Sequence, residues 1–274
     1  MLRTRGLTKR YGGITAVDGV DFELDDELCS LIGPNGAGKT TFFDLLTGAQ
    51  DPTSGRIELR SGGEWLDVTE RPPDDIAGLG VHRSYQITNV FPTSTVLENV
   101  RIAVQAHSDH AGTIWRTTDA YEDDIAAARS ILNRVGLTDR ADDLAQNLSH
   151  GAGRQLEVAI ALAGDPDVLL LDEPNAGVSS ESVDDIITLI EDVAEDHAVL
   201  LVEHNMDIVM EVSDRVVVLN QGSVIADGEP EAVRADPSVQ EAYLGGYETG
   251  DLAGGSGNGN GSQTGNSDDT EGVA

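Results

Sequence analysis

The chain has 274 residues, enough for one substantial α/β core with a smaller subdomain, and not enough for a membrane permease as well. Its 49 acidic against 17 basic residues, a formal net charge of −32, make nucleic acid an improbable partner. Apolar runs such as Val168 to Leu171, Ala198 to Val202 and Val216 to Leu219 fall far short of the ~20 residues of a spanning helix, and the single cysteine, Cys29, excludes an internal disulfide.

The opening residues Met1-Leu2-Arg3-Thr4-Arg5 carry no apolar stretch of the secretory kind, so the chain is expected in the cytoplasm. Strand-like runs follow at Leu2 to Leu7, Val17 to Leu24 and Leu28 to Ile32, the last ending at a Gly-rich loop with a helix from Lys39 to about Leu46. Two further strands, Arg56 to Leu59 and Trp65 to Val68, flank a Ser61-Gly62-Gly63 turn. Helical spacing recurs over Thr95 to Ala106 and Asp119 to Val135, which points to a small helical subdomain. Val168 to Leu171 and Ala198 to Val202 suit strands buried on both faces, and Val183, Ile186, Ile187, Ile190 and Val193 mark one side of the helix between them. Alternating strands and helices imply a parallel sheet. Beyond Tyr247 there is almost nothing to bury, so a disordered acidic Gly/Ser/Asn-rich tail is expected over 247–274.

Gly33-Pro34-Asn35-Gly36-Ala37-Gly38-Lys39-Thr40 fits the complete P-loop pattern, between a strand and a helix as that pattern requires. Its glycines let backbone N–H groups turn toward phosphate oxygens, and the helix N-terminus adds its positive dipole end. Lys39 adds a full charge for the β- and γ-phosphates of ATP, and Thr40, followed by Thr41, offers a hydroxyl to Mg²⁺. Downstream, Val168 to Leu171 delivers Asp172 and Glu173 at a strand's C-terminal end, where open α/β sheets place their chemistry. Taken alone, that pair reads equally well as a helix cap. With the P-loop upstream, Asp172 is expected to hold Mg²⁺ through water, and Glu173 to act on the attacking water as general base or positioning group.

Leu148-Ser149-His150-Gly151-Ala152, ahead of a helical stretch, resembles the LSGGQ signature of ABC ATPases. Tyr11, Gln86, the Asn175 to Ser179 stretch and His204 stand in the family's order, and the resemblance covers roughly residues 2 to 246. Individually these residues have plain alternatives: Tyr11 as a packing tyrosine, Gln86 as a surface residue, His204 as a cap or core residue. The resemblance implies a P-loop NTPase ABC cassette over 1–246, with a mostly parallel core sheet, an antiparallel β subdomain and a helical subdomain at about 87–160. It further implies that Tyr11 stacks on adenine, that Gln86 touches Mg²⁺ and the attacking water, and that His204 reaches the γ-phosphate. Ser149, His150, Gly151 and Ala152 would meet ATP held by a second cassette, a homo- or heterodimer partner. His150 replaces the family's first glycine and Ala152 its glutamine, for which weaker coupling is expected.

Longer stretches, among them Phe91 to Val100, Glu203-His204-Asn205-Met206 and Glu241 to Gly245, resemble the ATPases of branched-chain amino-acid importers, an architecture shared with urea and short-amide importers. The implied assembly has two transmembrane permease subunits, a second cassette and, indirectly, an external solute-binding protein, with the chain on the inner face of the membrane. A non-transport ABC ATPase is the competing reading; a switch GTPase is excluded, because lysine occurs only at Lys9 and Lys39 and no Asn-Lys-x-Asp stretch exists. The charge also points to a cytosol of very high ionic strength, as in a halophile, where a Debye length of about 3 Å screens the surface.

Overall fold

The computed structural model describes residues 1–84, 90–107, 118–178 and 183–244, without the side chains of 118–120 and 244. Its first unit is an antiparallel sheet made by β1 (Leu2–Tyr11), β2 (Ile14–Leu24), β4 (Ser54–Ser61) and β5 (Glu64–Asp67), in the order β2-β1-β4-β5. β3 (Leu28–Ile32) leaves that layer and leads through the Gly-rich loop into α1 (Lys39–Leu46). α2 (Pro73–Gly78) then precedes β6 (Val81–Ser84).

The second sheet runs β10-β9-β3-β8-β7-β6, with β7 (Val168–Asp172), β8 (Ala198–Val202), β9 (Arg215–Asn220) and β10 (Ser223–Gly228). From β9 to β6 every pairing is parallel, and only the β9–β10 hairpin is antiparallel. Leu31 and Asp172 both pair with Val202, so β3, β8 and β7 end level with one another. This alignment brings the residues after Ile32, Asp172 and Val202 to one edge of the sheet.

All five residues of β3, β7 and β8 are buried, because both faces are covered. Leu170 and Leu200 face a core shared with Phe42, Phe43 and the antiparallel sheet. Leu169, Leu171, Val199 and Leu201 face a second core. There they meet α3 (Val96–His107), α4 (Thr118–Arg134), α5 (His150–Leu162) and α6 (Val183–Ala194), through residues such as Val100, Leu132, Leu156 and Ile190. The two-residue period of the strands thus divides one apolar run between two cores. α7 (Met206–Val212), α8 (Pro230–Ala235) and α9 (Pro237–Leu244) cover the β9 end.

The expected strands and helices are all present where they are described; β3, α1 and β8 have the expected ends, and the others shift by a few residues. β1 extends four residues past Leu7, because Gly6, at φ 56°, sits in a bulge that resets the burial alternation. β6 was not foreseen as a strand: at four residues, with His82 and Arg83 at its centre, it presents no apolar run to read.

Candidate nucleotide-binding and hydrolysis site

The P-loop conformation depends on glycine at two positions of strong positive φ. At Gly33, φ 150°, an added Cβ would lie 2.0 Å from the Leu219 carbonyl oxygen; at Gly38, φ 108°, it would lie 2.2 Å from that of Ala16. The loop is therefore wedged between the backbones of β9 and β2. The Ala37 N–H donates to the Pro34 carbonyl at 3.1 Å and the Gly222 N–H to the Ala37 carbonyl at 2.9 Å, which fixes the curl. Asn35, Gly36 and Thr40 are exposed at the loop's open side, and Thr41 is half-buried behind them.

Lys39 is buried, and its ammonium donates to the loop's own Gly33 and Pro34 carbonyls at 2.6 and 3.3 Å. Burial holds its pKa below the ordinary lysine value, while the Glu173 and Asp172 carboxylates act in the opposite direction. Lys39, Asp172 and Glu173 thus share the sheet edge.

Asp172, the last residue of β7, is 8% exposed. Its carboxylate accepts from Arg83 Nη2 at 2.6 Å, while Arg83 Nη1 donates to Asp44 of α1 at 2.7 Å. Glu173 follows at φ 50°, a left-handed conformation that costs a side-chain-bearing residue about 1 kcal/mol or more. The Glu173 N–H donates to the Val202 carbonyl at 2.9 Å, which fastens this turn to the end of β8. His204, two residues beyond Val202, brings Nε2 into hydrogen-bond contact with Glu173 Oε1. Behind them the buried Glu203 carboxylate accepts from the N–H groups of His204 and Asn175, each at 3.1 Å. Glu173, Asn175, Glu203 and His204 line an open cavity of about 400 Å³.

Tyr11, at the end of β1, is half exposed, and its hydroxyl donates to Gln50. Ser149 caps α5, its Oγ accepting from the Ala152 N–H at 3.3 Å; Ser149 and His150 are exposed, Gly151 is buried and Ala152 half-buried. Gln86 and Ser179 lie outside the described residues. Arg83, Asp44 and Glu203 were not singled out from the sequence, since what distinguishes them is their distant partners. The only local signals are a charged residue inside a short strand and an acid beside His204.

The donor set suits a hard divalent cation. The exposed Thr40 hydroxyl and the Asp172 carboxylate offer oxygen donors; with Thr40 binding directly and Asp172 through water, the set would leave room for the phosphate oxygens and waters that Mg²⁺ prefers.

Residues 17–176 match the ABC transporter family. The chain belongs to that family. A second match, over residues 223–249, is to the branched-chain amino acid ATP-binding cassette transporter family. This ABC cassette is 40% identical over 253 residues to the high-affinity branched-chain amino acid transport ATP-binding protein BraF of Pseudomonas aeruginosa, covering 89% of this chain and 98% of that one. It is 34% identical to a probable branched-chain amino acid transport ATP-binding protein, LivG, of Archaeoglobus fulgidus, over 91% and 97% of the two chains. Among solved structures it is similar to the ADP conformation of MJ1267, an ATP-binding cassette of an ABC transporter, with a TM-score of 0.77, 29% identity, and coverage of 89% and 98%. The ABC cassette fold, with its parallel and antiparallel sheets and helical part, is as expected.

Proposed function

We propose that this chain is the ATP-hydrolysing subunit of an ABC importer for branched-chain amino acids, which energises uptake through separate permease subunits. The observation that carries the chemistry is the contact of Glu173 with His204 at the sheet edge where the P-loop also begins. The solute class rests on the kinship with BraF and LivG and on the C-terminal match.

Gly33 to Thr41 cradle the phosphates, with backbone N–H groups and the α1 N-terminus facing the anion. Lys39 exchanges its loop carbonyls for phosphate oxygens. Tyr11 offers its exposed ring to adenine. Thr40, Gln86 and, through water, Asp172 are assigned to Mg²⁺, which when bound neutralises charge on the phosphoryl oxygens. Glu173, held in its turn by Val202 and in contact with His204, orients or deprotonates the attacking water. His204 is half exposed, free to meet the γ-phosphate as well.

Ser149 to Ala152 lie at the start of α5, where the hydroxyl and the helix N-terminus can receive the γ-phosphate of ATP held by a second cassette. ATP shared in this way favours the closed pair, and hydrolysis removes the preference. No helix among the described residues is long and apolar enough to cross a membrane. Two permease subunits, served by an external solute-binding protein, hold the cassette at the inner face, with the segment from Gln86 to Pro92 as their contact. The cassette is assigned to 1–246, with its helical part at about 87–160, and 247–274 to a tail outside the described residues.

The test is ATP-driven uptake by vesicles containing this chain, a twin cassette, candidate permeases and their solute-binding protein. Leucine, isoleucine or valine uptake well above that of urea is expected; urea uptake without leucine uptake overturns the solute class.

A further inference from the structure

Arg83 joins three elements through one guanidinium. It lies in β6, 6% exposed, with Nη1 on Asp44 Oδ1 of α1 at 2.7 Å and Nη2 on Asp172 Oδ2 of β7 at 2.6 Å. Its planar group also lies 5.3 Å from the ring centre of Phe43. Asp44 is itself held, because its second oxygen accepts from Gln50 Nε2 at 2.9 Å, and Gln50 in turn accepts from the Tyr11 hydroxyl. An unbroken series of side-chain hydrogen bonds therefore runs from Tyr11 through Gln50, Asp44 and Arg83 to Asp172.

The arrangement has a specific electrostatic character. One guanidinium faces two carboxylates at nearly equal distance, so the three charges sum to one negative charge shared between Asp44 and Asp172. Asp172 receives a single charge-assisted hydrogen bond at Oδ2, and because the other arm of the guanidinium is anchored on Asp44, that bond fixes the orientation of the carboxylate. Groups that orient a ligand carboxylate in this way commonly matter to metal affinity by about 10- to 100-fold.

We propose that Arg83 is a positioning residue for Asp172: anchored on Asp44, it presents that carboxylate to the divalent cation accompanying the nucleotide. The proposal rests on the assignment of Asp172 to Mg²⁺ given above. It requires both arms of the guanidinium, which a lysine of equal charge cannot supply. It also requires the anchor at Asp44.

The experiment measures ADP affinity by fluorescence titration in high KCl, with Mg²⁺ and with EDTA, for the full chain, Arg83→Lys and Asp44→Asn, each checked by its melting curve. The expected result is metal-free ADP affinity within about twofold of the starting protein, and a magnesium-dependent gain reduced about tenfold or more in Arg83→Lys. Asp44→Asn, which leaves the Arg83–Asp172 contact in place, shifts the gain in the same direction and decides the matter if Arg83→Lys does not fold. An unchanged gain in the folded variants makes Arg83 a buried ion pair only and overturns the proposal. Parallel loss with and without metal also overturns it, since the whole cradle is then disturbed. Absence of any magnesium-dependent gain in the unaltered protein removes the metal role of Asp172 itself, a failure distinguishable from that of Arg83.

Discussion

At the scale of single residues, the parts of the site that read directly from the sequence are those whose function is local. Gly33 and Gly38 belong to an eight-residue pattern, and the structure gives their physical reason: positive φ and carbonyl oxygens where a Cβ would sit. Gly38→Ala is therefore expected to destabilise the protein by about 2 kcal/mol or more and to weaken nucleotide binding. Thermal melts with and without ADP check this, and an unchanged melting temperature would contradict it. Arg83 was illegible for the opposite reason, as its partners lie 39 and 89 residues away and no spacing rule connects them. Glu203 likewise acquires meaning only when β7 and β8 lie side by side, bringing the N–H of Asn175, 28 residues distant, to its carboxylate.

At the scale of elements, strands buried on both faces announced themselves as continuous apolar runs, and β3, β7 and β8 are as expected. Short or polar elements did not. α2, α7 and α8 have six or seven residues, under two turns, so a helical period scarcely has room to show. Ser149 caps α5 and is exposed at its first turn, the position proposed to meet a second cassette. Ser149→Ala should cost only about 0.5–1 kcal/mol of stability through the lost cap. Turnover of the assembled complex should fall about tenfold or more, because a hydroxyl donor to the γ-phosphate is gone. A melting curve and an ATPase assay separate the two effects. Turnover unchanged in a folded variant would leave Ser149 as a cap alone.

At the scale of the whole molecule, a net charge of −32 dominates. Much of this charge has no cationic partner to offset it, since only 17 basic residues face 49 acidic ones, and several of the arginines are already committed within ion pairs such as Arg83–Asp172 and Arg3–Glu58. Self-repulsion of this kind weakens as the Debye length shrinks from about 10 Å at 0.1 M salt to about 3 Å at 1 M. The melting temperature is expected to rise by several degrees as KCl increases over that range. Equal or greater stability in dilute buffer would contradict a protein adapted to high ionic strength.

The most direct measurement of the central claim is ATP hydrolysis in high KCl by this chain assembled with its permeases and twin cassette, set beside the Glu173→Gln variant. Hydrolysis is expected to be stimulated by assembly, with the variant still binding ATP and its turnover reduced about 100-fold or more. Undiminished turnover in the variant would remove Glu173 from the reaction, and hydrolysis indifferent to the permeases would separate this ATPase from transport.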